Sequence, residues 1–253
     1  MKTRGKRMNK LIIVFAILFA TTLLAQQVID QRNLVDMPTA GTLDRGSYSI
    51  SLRMFGNGGL LSGVNVGITP RFSMGLSYGG ENIIGEGDVN WNPEPGIQVK
   101  FRIIDEDFAM PAITLGFDSQ GYGPYNEAEK RYENKSRGLY GVVSKNFAIL
   151  HNFGLHGGLN YSLEKEDKDR EVNLFLGADL SFNREFRIFM EYDLANNDNE
   201  SDNLFGSGSG YMNGGFQWTF SEHLLLQFNA KNLFQNGPHK VTREFRIEYF
   251  EYF

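Results

Sequence analysis

The sequence predicts an all-β protein, a transmembrane antiparallel up-and-down β-barrel of about 12 strands. Three observations carry that expectation. Twelve segments alternate apolar and polar residues with period two, the mark of strands with one face in an apolar medium. Most span about 9–11 residues between breaks, the length that crosses a bilayer at a steep tilt, whereas sandwich strands commonly run about 5–6. The connections also alternate between short and long, as periplasmic turns and outside loops do in an even-stranded barrel. A soluble β-sandwich would alternate too, but its solvent face favours Lys, Glu and Thr, where Gly, Ser and Asn abound here.

Residues 1–25 read as a signal peptide. MKTRGKRMNK carries five positive charges and no acid, LIIVFAILFATTLL (11–24) is uninterruptedly apolar, and Ala25 precedes a polar pair. That is the order of a cleaved secretory leader, and the apolar run is short for a spanning helix of roughly 20 residues. Residues 26–46, QQVIDQRNLVDMPTAGTLDRG, are not strand-like and are expected to stay periplasmic or to enter the lumen as a plug. The barrel itself is assigned to 47–253.

Its strands begin with YSISLRM (48–54), VNVGI (64–68), FSMGLSY (72–78) and IQVKFRI (97–103). ITLGF (113–117), LYGVVSK (139–145), FGLHGGLNYS (153–162) and VNLFLGADLSF (172–182) follow. FRIFMEYDL (186–194), YMNGGFQWTF (211–220), LLLQFNAK (224–231) and FRIEYFEYF (245–253) complete the set. Short connections (TPR, DEDFAM, NFAILHN, NRE, SEH) alternate with longer polar ones that include DSQGYGPYNEAEKRYENKSRG and ANNDNESDNLFGSGSG. An open sheet in lipid would leave backbone donors and acceptors unpaired, so the last strand must meet the first. FRIEYFEYF resembles the C-terminal signal that the barrel-assembly machinery reads, with Glu251 as a departure on the outward parity. The expected setting is therefore the bacterial outer membrane, with its lipid and that machinery as partners.

Composition narrows the function. Without the leader, 25 basic residues less five leaves 20 against 30 acidic, a net charge near −10, which excludes nucleic acid as a partner. With no cysteine in the chain, a disulfide, a thiolate metal site and a cysteine nucleophile are all excluded. No enzyme, metal or cofactor is expected. His156 is the one strand histidine and points inward, away from the lipid boundary where a lipase would need it. His151 and His223 fall in turns and His239 in a loop. Ser162 and Ser181 share the lumen, with nothing in the sequence to set them beside His156. Glu191 and Asp193, two apart on a strand, project to one side; they are expected to neutralise Arg53, Lys100, Arg102 or Lys145 across the lumen rather than to act as acid and base. The remaining lumen-facing polar candidates are Lys231, Arg246 and Glu248. NNDNESDN (196–203) lacks the spacing of a calcium loop and is expected to be solvated, as is FGSGSG (205–210).

PGIQVKFRIIDEDFAMPAITLGFDSQGYGPYN (95–126) followed by LYGVVSKNF (139–147) resembles the YjbH domain family of bacterial exopolysaccharide-biosynthesis outer-membrane proteins. The matching elements are Lys100, Glu106, Pro111-Ala112, Leu115-Gly116, Asp118, Gly121, Tyr140 and Ser144-Lys145. MPTAGTLDRG (37–46) and GENIIG (80–85) add weaker pieces, and the likeness spans roughly residues 34–160. The stretch NEAEKRYENKSR (126–137) departs from the family spacing. The resemblance implies an accessory role in exopolysaccharide production or export, with polysaccharide or export-system proteins as partners. A narrow pore fits the same barrel. The alternative is a filled structural barrel that displays loops for envelope or surface interactions.

Overall fold

The computed structural model describes residues 30–199, 205–221, 223–237 and 240–253. The leader, residues 26–29 and His239 lie outside the described residues. Among the described residues there are strands and no helix. The first eight are β1 (Ser47–Phe55), β2 (Gly59–Thr69), β3 (Phe72–Glu81), β4 (Asn90–Trp91), β5 (Gly96–Ile104), β6 (Ala112–Asp118), β7 (Tyr122–Asn126) and β8 (Arg131–Asn134). There follow β9 (Gly138–Phe147), β10 (Asn152–Tyr161), β11 (Asn173–Ser181), β12 (Phe186–Asp193), β13 (Tyr211–Phe220), β14 (Leu224–Lys231) and β15 (Thr242–Tyr252).

Twelve of these form one antiparallel sheet in chain order, and β1 pairs β15 from Ser47↔Tyr252 to Met54↔Phe245. The sheet is closed. Each of the twelve segments expected from alternation lies on one of these strands. β4 only extends the edge of β3, and β7 and β8 form a separate hairpin in the loop between β6 and β9. The β1–β2 connection has three residues, Gly56 to Gly58, between the paired Phe55 and Gly59. It turns tightly because Asn57 and Gly58 both take positive φ (57° and 62°), which Gly and Asn tolerate.

Alternation sorts the two faces. Ile50, Leu76, Leu115, Leu155, Leu176 and Phe228 project outward and are exposed, Leu176 to 59 %. Ser49, Arg53, Lys100, Asn160, Asn173, Glu191, Asn213 and Gln227 project inward and are buried. Exposed aliphatic side chains around a closed sheet with a polar interior make this a membrane-spanning barrel of the outer-membrane type. Aromatics gather at the short-turn end: Phe147 near Phe153, Phe186 stacked on Phe216 and Trp218, and Tyr48 on Phe253. Tyr78 stacks on Trp91 at the long-loop end.

The inner face is not polar throughout, contrary to expectation. Ala112, Tyr140, Val142, Phe175 and Phe189 lie on the inward parity of β6, β9, β11 and β12 and are buried. Leu34, Val35, Met37 and Ala40 pack on them. The residues ahead of β1 therefore lie inside the barrel, and this patch of wall is apolar because it receives them. Three inward aromatics sit over glycines on the adjacent strand, in the pairs Tyr140/Gly116, Phe175/Gly158 and Phe189/Gly215. A Cβ at any of these glycines would come within 2.5 Å of the ring, so the small residues make room for the core.

Candidate functional site

The lumen is built around residues 30–46. Glu191 accepts three consecutive backbone N–H groups, from Val35 (2.8 Å), Asp36 (3.0 Å) and Met37 (3.0 Å), and the Asn213 side-chain amide at 2.8 Å. A carboxylate with only 1 % exposure is thus held by donors rather than by a cation. Gln227 donates to Leu34 O at 2.7 Å and Thr114 to Ala40 O at 3.0 Å. Lys100 donates to Arg32 O at 2.5 Å, and Arg102 to Ala40 O at 3.1 Å. Such pairing stabilises an irregular backbone that would otherwise carry unmet polar groups.

The ion pairs differ from those expected from sequence. Arg53 pairs with Asp36 and with Glu244 (2.5 Å), and Lys231 with Asp36 at 2.7 Å. Arg32 pairs with Glu248, and Arg102 with Asp30 at 2.5 Å. Asp193 meets Arg137 of the β8–β9 connection and Asn173 (2.6 Å). Neither Glu191 nor Asp193 forms an ion pair with Arg53, Lys100, Arg102 or Lys145; the counter-charges come from residues 30–36, from Glu244 of β15 and, for Asp193, from an outside loop.

Lys145 is not in the lumen at all. It shares the outward parity of Val143 and Phe147 at the short-turn rim. There it donates to the carbonyls of Asp107 (2.5 Å), Phe108 (3.2 Å) and Met110 (3.4 Å), with Glu106 at 3.6 Å. At a rim the ammonium reaches water and turn carbonyls, so its parity costs little. In the same turn, Asp107 accepts the N–H groups of Ala109 and Met110, bonds that lower its pKa.

His156 is buried between Ser144 Oγ (2.8 Å from Nδ1) and Asp179 Oδ1 (2.8 Å from Nε2). Arg187 lies 3.3 Å from Asp179. Ser144 Oγ also accepts the Ala40 N–H at 2.8 Å. The residue types are those of an acyl-transfer triad, but the hydroxyl is capped by the Ala40 backbone. Here the chain links the wall to the residues inside it. Asp179 sits on the lumen parity of β11, which was the available signal; Ser162 and Ser181, the serines considered from sequence, are not its partners.

The outside loops are not uniformly solvated. Arg131 on β8 is buried and bonds Asp167 (2.7 Å) and Asp198 (2.8 Å), while Tyr211 donates to Asp198 at 2.5 Å. Burial lowers the Arg131 pKa, but its bonds to Asp198 and Asp167 outweigh this and raise it. Asp198 belongs to the stretch expected to be solvated. Gly206 of the next stretch is buried, and Ser207 bonds Asn236 at 2.8 Å.

Two cavities flank the inserted segment. One, of about 180 Å³, reaches from His151 and Arg184 at the short turns to mid-barrel, passing Arg32, Arg187, Arg246 and Gln217. The other, of about 260 Å³, opens among Asn57, Asn92 and Lys240 on the loop side. Both are lined by Arg53, Leu61, Gln120 and Tyr122. The Arg53 guanidinium lies 3.9 Å from the centre of the Tyr122 ring, so that pair forms part of the partition between them.

No family model matches the chain, and no curated protein does. Among solved structures it is similar to the KdgM porin, at 12 % identity and a TM-score of 0.49 over 82 % of this chain and 99 % of that one. An outer membrane channel from Pseudomonas putida F1 shows 11 % identity and a TM-score of 0.43 over 83 % and 97 % of the two chains. The outer membrane channel DcaP of Acinetobacter baumannii shows 9 % and 0.31 over 81 % and 95 %.

Proposed function

We propose that this protein is a narrow outer-membrane pore, closed at rest, that serves as an accessory of exopolysaccharide production or export. The observation that carries the pore reading is the pair of cavities that approach from opposite ends and share Arg53, Leu61, Gln120 and Tyr122. Those four residues form a common wall between them, and a barrel filled for stability alone would have no reason to keep both cavities. Ser51, Gln98, Gln217 and Gln227 along the cavity that runs from the short turns to mid-barrel, the inner cavity, suit a hydroxylated, polar solute. The exopolysaccharide setting rests on the family resemblance around Lys100, Asp118 and Tyr140. Delivery by the leader and insertion through the terminal strand belong to the same proposal.

The alternative remains a filled barrel that displays its loops. The buried Arg131–Asp198 pair, which orders the outside surface, favours it. Planar-bilayer conductance of the purified protein separates the two. The pore reading expects small, infrequent openings that increase in Tyr122→Ala and increase further when residues 26–46 are removed. Silence in all three would favour the structural barrel.

A further inference from the structure

Arg53 and Arg246 are register partners directly across the β1–β15 junction, and both line the inner cavity. Like charges placed opposite each other on one face of a sheet repel, so the pair calls for anions nearby. Asp36 and Glu244 meet Arg53 through Nη2, but its Nη1 is buried with no hydrogen-bond partner. Arg246 makes one hydrogen bond among the described residues, from Nη2 to Val35 O at 3.2 Å. Arg246 thus presents guanidinium donors to the cavity, beside an Arg53 that Tyr122 holds in place.

From this geometry we infer that the inner cavity is a binding site for the carboxylate of an acidic saccharide, with Arg246 as its donor. Guanidinium groups match a carboxylate with paired, charge-assisted hydrogen bonds. Ser51 and Gln98 lie along the same cavity on the inward parity of their strands and offer the neutral donors and acceptors that sugar hydroxyls use. A cavity of about 180 Å³ has room for a single sugar unit. The inference deepens the narrow-pore reading by naming the charge and class of the solute, and it rests on that reading for the route by which the solute arrives.

The test is calorimetric titration of the detergent-solubilised protein with sodium glucuronate, glucose and inorganic phosphate. Saturable glucuronate binding is expected, with glucose and phosphate each weaker. Arg246→Gln should weaken glucuronate about tenfold or more, the worth of a charge-assisted hydrogen bond, and leave glucose unchanged. An unchanged shift in gel mobility on heating shows that this variant still folds, and Ser51→Ala gives a second, smaller loss expected for both sugars. Phosphate binding as tight as glucuronate, or glucuronate binding indifferent to Arg246, would overturn the site. Because calorimetry needs no conduction, binding in a protein that never conducts would refute the pore and leave the site standing.

Discussion

Glu191 shows how a residue's role depends on what the fold brings to it. From sequence it is one of two carboxylates on a strand. In the barrel its oxygens receive the backbone of residues 35–37, and that contact crosses most of the chain. Glu191→Ala would leave those buried N–H groups unpaired, at about 1–3 kcal/mol for each that finds no substitute. The expected result is that a cysteine replacing Leu34 becomes reactive to water-soluble thiol reagents in the Glu191→Ala background and stays protected when Glu191 is intact. Parity along each strand was enough to place Arg53, Lys100, His156, Glu191 and Lys231 inside, but not their partners. Asp36 had one legible sign, an acid within the apolar stretch LVDMPTA, while the pairing of His156 with Ser144 and Asp179 requires the register of three strands.

At the scale of elements, period two located the twelve strands because each has one face in lipid. The lumen face obeys a different rule, set by what fills it. Phe175, Phe189, Val142 and Tyr140 break the polar pattern of that face and mark the wall where residues 34–40 pack. Loop order was the least legible feature, since the hairpin β7–β8 and the buried Arg131 depend on acids from two other loops. Closure is an element-scale property as well. The last residues pair Tyr252 with Ser47, and the Phe253 N–H donates to Gly46 O at 2.9 Å. Removing residues 252 and 253 shortens this junction and should reduce the amount of protein assembled in the outer membrane. Normal accumulation of the truncated protein would contradict a closing role for that end of β15.

For the whole molecule, the balance lies between an apolar exterior solvated by lipid and an interior of paired charges. Leu176 is on the exterior near the middle of β11. An arginine there costs about 2–4 kcal/mol at mid-bilayer, so Leu176→Arg should lower the folded fraction on unheated gels, while Leu176→Phe should not. Equal tolerance of both would mean that this face does not meet lipid.

The barrel holds residues from ahead of its own first strand in its lumen, and one crosslink tests that placement. A Cβ built at Gly177 would lie 2.4 Å from Leu34 Cδ1, and the chain has no cysteine of its own. In membranes carrying Leu34→Cys with Gly177→Cys, mild oxidation should form an intramolecular disulfide, seen as a mobility shift that reductant reverses, and each single variant should show none. No disulfide in the double variant, with both thiols still open to water-soluble reagents, would place residues 30–46 outside the barrel and contradict the account.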